Sequence, residues 1–182
     1  QEEGTSLEQL EEELKDKMKK LYLPQPDEKT GIIPQFDGYF DLKEIDLSVY
    51  KNASVVGTIF HDYSGEDVQK MQAGKQADIV ELLYQMEDIT TPDNKAKNYV
   101  YYEARTLHDS SLSKAIHSIT ACDLGMEKEA YEMFMSAALT DLGQEMKSSD
   151  AGIHSANMGG VWQDVVMGFG GIRIRDGHLR IA

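Results

Sequence analysis

The sequence is short of cysteine, of positive charge and of long apolar runs, and each shortage closes off a class of protein. A single cysteine, Cys122, cannot form an internal disulfide, so the chain is no cross-linked secreted scaffold and a reducing, cytoplasmic setting is expected. No charged start leads into an apolar run, and nothing approaches the roughly 20 apolar residues that span a bilayer. Lys and Arg number 18 against 32 Asp and Glu, a formal net charge of -14. A field of that sign repels phosphate backbones and anionic headgroups, so no nucleic acid and no membrane partner is expected. There is no CxxC pair, and His61 and Asp62 lack a partner at metal-ligand spacing, so no metal is expected.

What remains is a chain of 182 residues with 41% hydrophobic content, the length and composition of one domain. It opens in an acidic segment at Gln1 and stops at Ala182 inside a strand pattern, as a fragment would. Leu7, Leu10, Leu14, Met18 and Leu21 recur at helical spacing, with Ser6 and Gln9 placed as a capping box. From Leu23 to Val49, Pro24, Pro26, Pro34 and the stretch GIIPQFDGYFDL predict a long loop, and Phe36, Tyr39 and Phe40 predict that it is ordered over a core. A helix is expected from Glu66 to Met86, containing the polar tetrad KQAD and stopped by Thr91-Pro92. The tyrosine-rich NYVYYEART reads as extended. LHDSSLSKAIHSITACDLG reads as a capped helix ending near Gly125, followed by helices over Ala130 to Leu142 and His154 to Met167. These make antiparallel helical hairpins. The tail IRIRDGHLRIA alternates in period two around Asp176-Gly177, a hairpin signature. The fold class is mainly α with a β appendage.

Chemistry can gather in three places. In RTLHDSSLS, Ser110 and Ser111 stand at a helix head where free amides and the positive dipole end can hold a phosphate-sized anion, with His108 nearby; equally, Asp109 or Ser110 can simply cap the helix. GIHSAN puts His154 at a second helix head, as an anion ligand or as a core or capping histidine. Lys75 and Gln76 can grip vicinal sugar hydroxyls or lie on a solvated helix face. Trp162 falls in an apolar stripe and is taken as core, and GFGG (168–171) as a helix terminator, because the strand and helix that flank a phosphate loop are missing.

PQFDGYFDL, KQAD, YYEARTLHDSSLSKAIHSI and GIHSANMGGVWQDVVMGFGGIRIRDGHL resemble, in that order, segments of family 65 glycoside hydrolases, the phosphorylases of maltose, kojibiose, nigerose and trehalose. The resemblance implies an (α/α)6 barrel followed by a β-rich domain, with residues 1–170 the C-terminal portion of the barrel and 171–182 the start of the β domain. It implies donor-sugar contacts from Lys75, Gln76 and Glu103, phosphate ligands in Ser110, Ser111 and His154, and an anion-ligand or supporting role for His108. The implied reaction is inverting phosphorolysis of an α-glucosyl disaccharide, with phosphate in place of the activated water and β-glucose 1-phosphate as product. The general-acid glutamate would lie upstream, so this chain would hold no catalytic acid and need the remainder of the barrel. No organic cofactor is implied, inorganic phosphate is a co-substrate, and a homodimer is a further expectation. A trehalase-type hydrolase and a noncatalytic helical interaction module are the rival readings.

Overall fold

The computed structural model describes residues 6–51, 56–142 and 152–181; the acidic start at Gln1 and the strand end at Ala182 lie outside them. Helix α1 (Leu7–Lys20) forms as its cap predicts: Ser6 Oγ accepts from the Gln9 amide and the Gln9 side chain accepts from the Ser6 amide. Its apolar stripe, Leu7, Leu10, Leu14 and Met18, is exposed. Residues 21–47 then run mainly as the ordered loop that the prolines predict, and Ile32, Ile33 and Tyr39 sink into the core. Asn98, fully buried, pins this loop by accepting from Ile33 N at 2.8 Å and donating to the Gly31 carbonyl at 2.9 Å. Gly31 is left-handed (φ 74°) and lies so close to Asn94 that a Cβ would meet its side-chain oxygen at 2.7 Å.

Short helices α2 (Ser48–Lys51) and α3 (Gly65–Val68) flank a small second core of Leu47, Ile59 and Leu107. The expected single helix from Glu66 to Met86 is not formed. It breaks after α3 and restarts as α4 (Asp78–Gln85), leaving Lys75, Gln76 and Ala77 of the KQAD tetrad in the connection. The cause is non-local. Gln72 N donates to the Lys43 carbonyl at 2.9 Å, Gly74 N to the Arg105 carbonyl at 2.7 Å, and Leu107 N to the Gly74 carbonyl at 2.8 Å. These bonds take backbone groups that a helix would have used.

Two further expectations are corrected in α5 (Pro92–Ala104). Thr91-Pro92 starts a helix rather than stopping one: Thr91 Oγ1 accepts from Asn94 N, and Pro92 occupies the first turn, where its missing N–H costs nothing. NYVYYEART is therefore mostly helical, because burial of Tyr99 and Tyr102 outweighs the weak strand preference of tyrosine.

Helix α6 (Ser113–Asp123) is the central element, buried continuously from Ala115 to Ala121, and α7 (Glu127–Ala138) returns beside it after the left-handed Gly125. Helix α8 (Ser155–Gln163) continues into a wide π-helical turn over Asp164–Phe169. Three contacts fix its direction. A Cβ on Gly160 would stand 3.1 Å from Ala115 Cβ, Ser118 Oγ donates to Asp164 Oδ1 at 2.9 Å, and a Cβ on Gly168 would stand 3.4 Å from Ile119 Cα. Residue numbers rise together on both helices, so α6 and α8 run parallel and their N-termini share one end. Trp162, expected in the core, is 60% exposed on α8, since the buried side of that helix is made of small residues and Asn157.

Strands β1 (Ile172–Arg175) and β2 (His178–Ile181) form the predicted hairpin, with Asp176 and Gly177 both at positive φ. Buried Arg173 anchors it to the helices through Glu87 at 3.1 Å and Asp123 at 2.7 Å. The described residues are mainly helical, with one small antiparallel sheet among them.

Candidate functional site: two helix heads and a braced turn

The parallel course of α6 and α8 puts two positive dipole ends on the same side of the molecule. Ser110 and Ser111 immediately precede α6 and His154 is the N-cap residue of α8, so they stand at the end that the two helix heads share. Ser110 and Ser111 are half-buried. Neither serves as a strong cap: α6 has no side-chain cap bond, and Ser110 Oγ only accepts a long 3.4 Å bond from Leu112 N. Asp109 is occupied elsewhere, accepting from Gly57 N at 3.0 Å.

His154 is held from behind. Asp141 accepts from both its ring Nδ1 at 2.7 Å and its backbone N at 2.8 Å, which leaves the Nε2 edge for another partner. These bonds hold the Asp141 carboxyl below its ordinary range.

The Gly74–Thr106 bridge lays the KQAD segment alongside the strand-like approach to HDSS. Lys75 and Gln76 are both exposed. Gln76 lines a cleft of about 440 Å³ with Leu112 and Ser113, at the head of α6, whereas Lys75 opens on a neighbouring cleft of about 380 Å³ beside Gln35, Phe36 and Tyr39. Asp78 borders both. Gln76 thus borders the head of α6, which Ser110 and Ser111 precede, His154 stands at the parallel head of α8, and Lys75 opens on the neighbouring cleft.

Glu103 and His108 are bonded to each other and to neighbouring side chains. Glu103 Oε2 accepts from Lys51 Nζ at 2.5 Å, and its Oε1 lies 3.3 Å from His108 Nε2. Burial pushes the Glu103 carboxyl up, but the bonds from His108 and Lys51 and the Lys51 charge outweigh it and bring it down to about 2. His108 Nδ1 meets Ser113 Oγ at 2.9 Å. With Glu103 ionised, Nε2 carries the proton and donates, and Nδ1 accepts from the Ser113 hydroxyl. Burial lowers His108 and, more strongly, His117, whose ring packs on His108 with centroids 4.6 Å apart. Both His117 ring nitrogens lack a partner among the described residues. Ligand atoms of Glu103, His108 and His117 lie within 4.8 Å of one another, a donor set of metal-binding type. The Lys51 ammonium on the same carboxylate opposes a cation there.

Residues 1–163 match the model of the glycosyl hydrolase family 65 central catalytic domain. The chain belongs to that family. It is 48% identical over 170 residues to a kojibiose phosphorylase of Halothermothrix orenii, covering 93% of this chain and 21% of the relative. It is 40% identical to a kojibiose phosphorylase of Escherichia coli, covering 90% of this chain and 22% of that one. A solved structure assigned as a kojibiose phosphorylase from the human microbiome superposes with a TM-score of 0.82 at 31% identity, covering 97% of this chain and 25% of that one. The chain therefore spans about a fifth to a quarter of the length of these family 65 proteins. Among the described residues, no helix is long and apolar enough to cross a membrane.

Sequence reasoning missed Lys51, Ser113 and Asp141, which brace this candidate site. Lys51 lies 52 residues from Glu103, and no local pattern marks it. Asp141 lies 13 residues before His154, at the far end of a different helix pattern.

Proposed function

We propose that the chain is the C-terminal portion of an (α/α)6 catalytic barrel in an inverting disaccharide phosphorylase. The enzyme would cleave a kojibiose-like α-glucosyl disaccharide with inorganic phosphate to β-glucose 1-phosphate and glucose. One observation supports this reading: α6 and α8 run parallel, so the segments bearing Ser110, Ser111 and His154 lead into helix heads at one end, and Gln76 lines a cleft at the α6 head. Hydroxyls, an imidazole and two dipole ends suit a phosphate nucleophile. A hydrolase would instead need a carboxylate base on the attacking side, where this reading has hydroxyls and an imidazole.

In this reading Ser110 and Ser111 donate to phosphate oxygens and His154 closes the anion site from α8. Gln76 and Lys75 hold the glucosyl unit. Glu103 and His108 support the serine turn through Lys51, each other and Ser113, and the acceptor capacity left on the Glu103 carboxylate can still serve the donor sugar. The general acid comes from the remainder of the barrel, which also covers the exposed apolar faces bearing Tyr131, Trp162 and Phe169. The kojibiose phosphorylases of Halothermothrix orenii and Escherichia coli among its relatives support the choice of disaccharide.

The test is the double variant Ser110→Ala, Ser111→Ala in a complete enzyme carrying this chain. Losing two hydroxyl bonds to an anion should cut phosphorolysis by about a hundredfold or more with the circular dichroism spectrum unchanged. Phosphorolysis at the parent rate would reject the assignment.

A further inference from the structure

Lys51 and three side chains of the stretch 103–113 form an unbroken line behind the serine turn. Lys51 Nζ donates to Glu103 twice, to Oε2 at 2.5 Å and to the backbone carbonyl at 2.6 Å. Glu103 Oε1 faces His108 Nε2 at 3.3 Å, and His108 Nδ1 reaches Ser113 Oγ at 2.9 Å. The last bond spans residues 109–112 and so closes a turn whose apex is Ser110-Ser111.

His108 sits at φ 57°, one of two non-glycine residues at positive φ among those described. A residue there costs roughly 1 kcal/mol or more and persists only when its surroundings impose it. Here the imposing contacts are the two ring bonds. The other end of the same segment is tied down as well, since Asp109 accepts from Gly57 N at 3.0 Å. Ser110 and Ser111 are thus presented by a strained turn whose flanks are fixed, and among the described residues Ser110 Oγ accepts only the long bond from Leu112 N.

The charge in this line comes from Lys51. The Glu103 and Lys51 side chains are 19% and 18% exposed, so the pair is largely shielded from water. An ionised Glu103 fixes the His108 proton on Nε2, and only that tautomer leaves Nδ1 free to accept from Ser113. We propose that Lys51 is a positioning residue for phosphate: through Glu103 and His108 it fixes the left-handed turn that presents Ser110 and Ser111. The proposal rests on the phosphorylase reading for its ligand but not for its geometry.

The experiment compares Lys51→Met and Lys51→Arg with the parent in a complete enzyme carrying this chain. Initial rates are taken with phosphate and disaccharide varied separately, and amide hydrogen exchange is followed at Ser110, Ser111 and Leu112. Lys51→Met should raise the KM for phosphate by about tenfold, the weight of one charge-assisted bond, and leave the KM for disaccharide within about twofold. The same variant should speed exchange at the three amides. Lys51→Arg, which keeps the charge, should restore both readouts to near the parent values. A folded Lys51→Met enzyme with parent exchange at these amides overturns the brace, as does an equal rise in both KM values, which marks a general structural loss. If the parent itself cleaves disaccharide without phosphate, the phosphorylase reading fails, and the exchange comparison still decides the brace.

Discussion

Asp164 is fully buried at the junction of α8 and its wide turn, with Ser118 donating to Oδ1 at 2.9 Å and Oδ2 without a partner among the described residues. Burial raises its pKa from the ordinary 3.8 to about 7, and the Ser118 bond only partly opposes this. The folded carboxyl therefore keeps its proton over a range in which the unfolded one gives it up. Stability must then fall as pH rises from about 4 to about 7 and level off above, because the unfolded state binds fewer protons in that window. At about 1.4 kcal/mol per unit, the full effect is about 4 kcal/mol. Asp164→Asn keeps the acceptor for Ser118 and cannot ionise. It should match the parent below pH 4 and exceed it by several kcal/mol at pH 8, with the gap opening across the window. Urea unfolding of both proteins at intervals between pH 4 and 8 measures this. Parallel stability curves would refute the reasoning, since they would show Asp164 already charged, or solvated, in the fold.

Gly168→Ala should destabilise by about 1–3 kcal/mol in thermal unfolding, the usual penalty for overpacking, because its Cβ would meet Asp164 Oδ1 at 2.6 Å and Ile119 Cα at 3.4 Å. Asp141→Ala frees the His154 ring and should raise the KM for phosphate more than that for disaccharide in steady-state assays; an unchanged phosphate KM would show that the orientation of His154 is immaterial.

The parts of the fold written locally were legible. Ser6 and Gln9 announced the head of α1, Gly125 the end of α6, and Asp176-Gly177 the hairpin, since each acts within a few residues of itself. The errors came where distant backbone intervened. The Glu66–Met86 helix was broken by bonds to Lys43 and Arg105, and the tyrosines of α5 turned helical to bury Tyr99 and Tyr102. Trp162 fits a helical stripe but faces outward, because periodicity gives a face and not its neighbour. In the candidate site, the serines and His154 stood out as polar residues at helix heads, where anion binding and simple capping are both open, and the resemblance supplied the ligand roles. That the two heads lie together required the Gly160–Ala115 and Gly168–Ile119 contacts, and the brace from Lys51 required closure over 52 residues.

The most direct test incubates a complete enzyme carrying this chain with kojibiose, with and without inorganic phosphate, and follows the products by proton NMR. The account predicts cleavage only with phosphate present, giving glucose and β-glucose 1-phosphate in equal amounts. Glucose release at the same rate without phosphate, or an α-phosphate product, would contradict it.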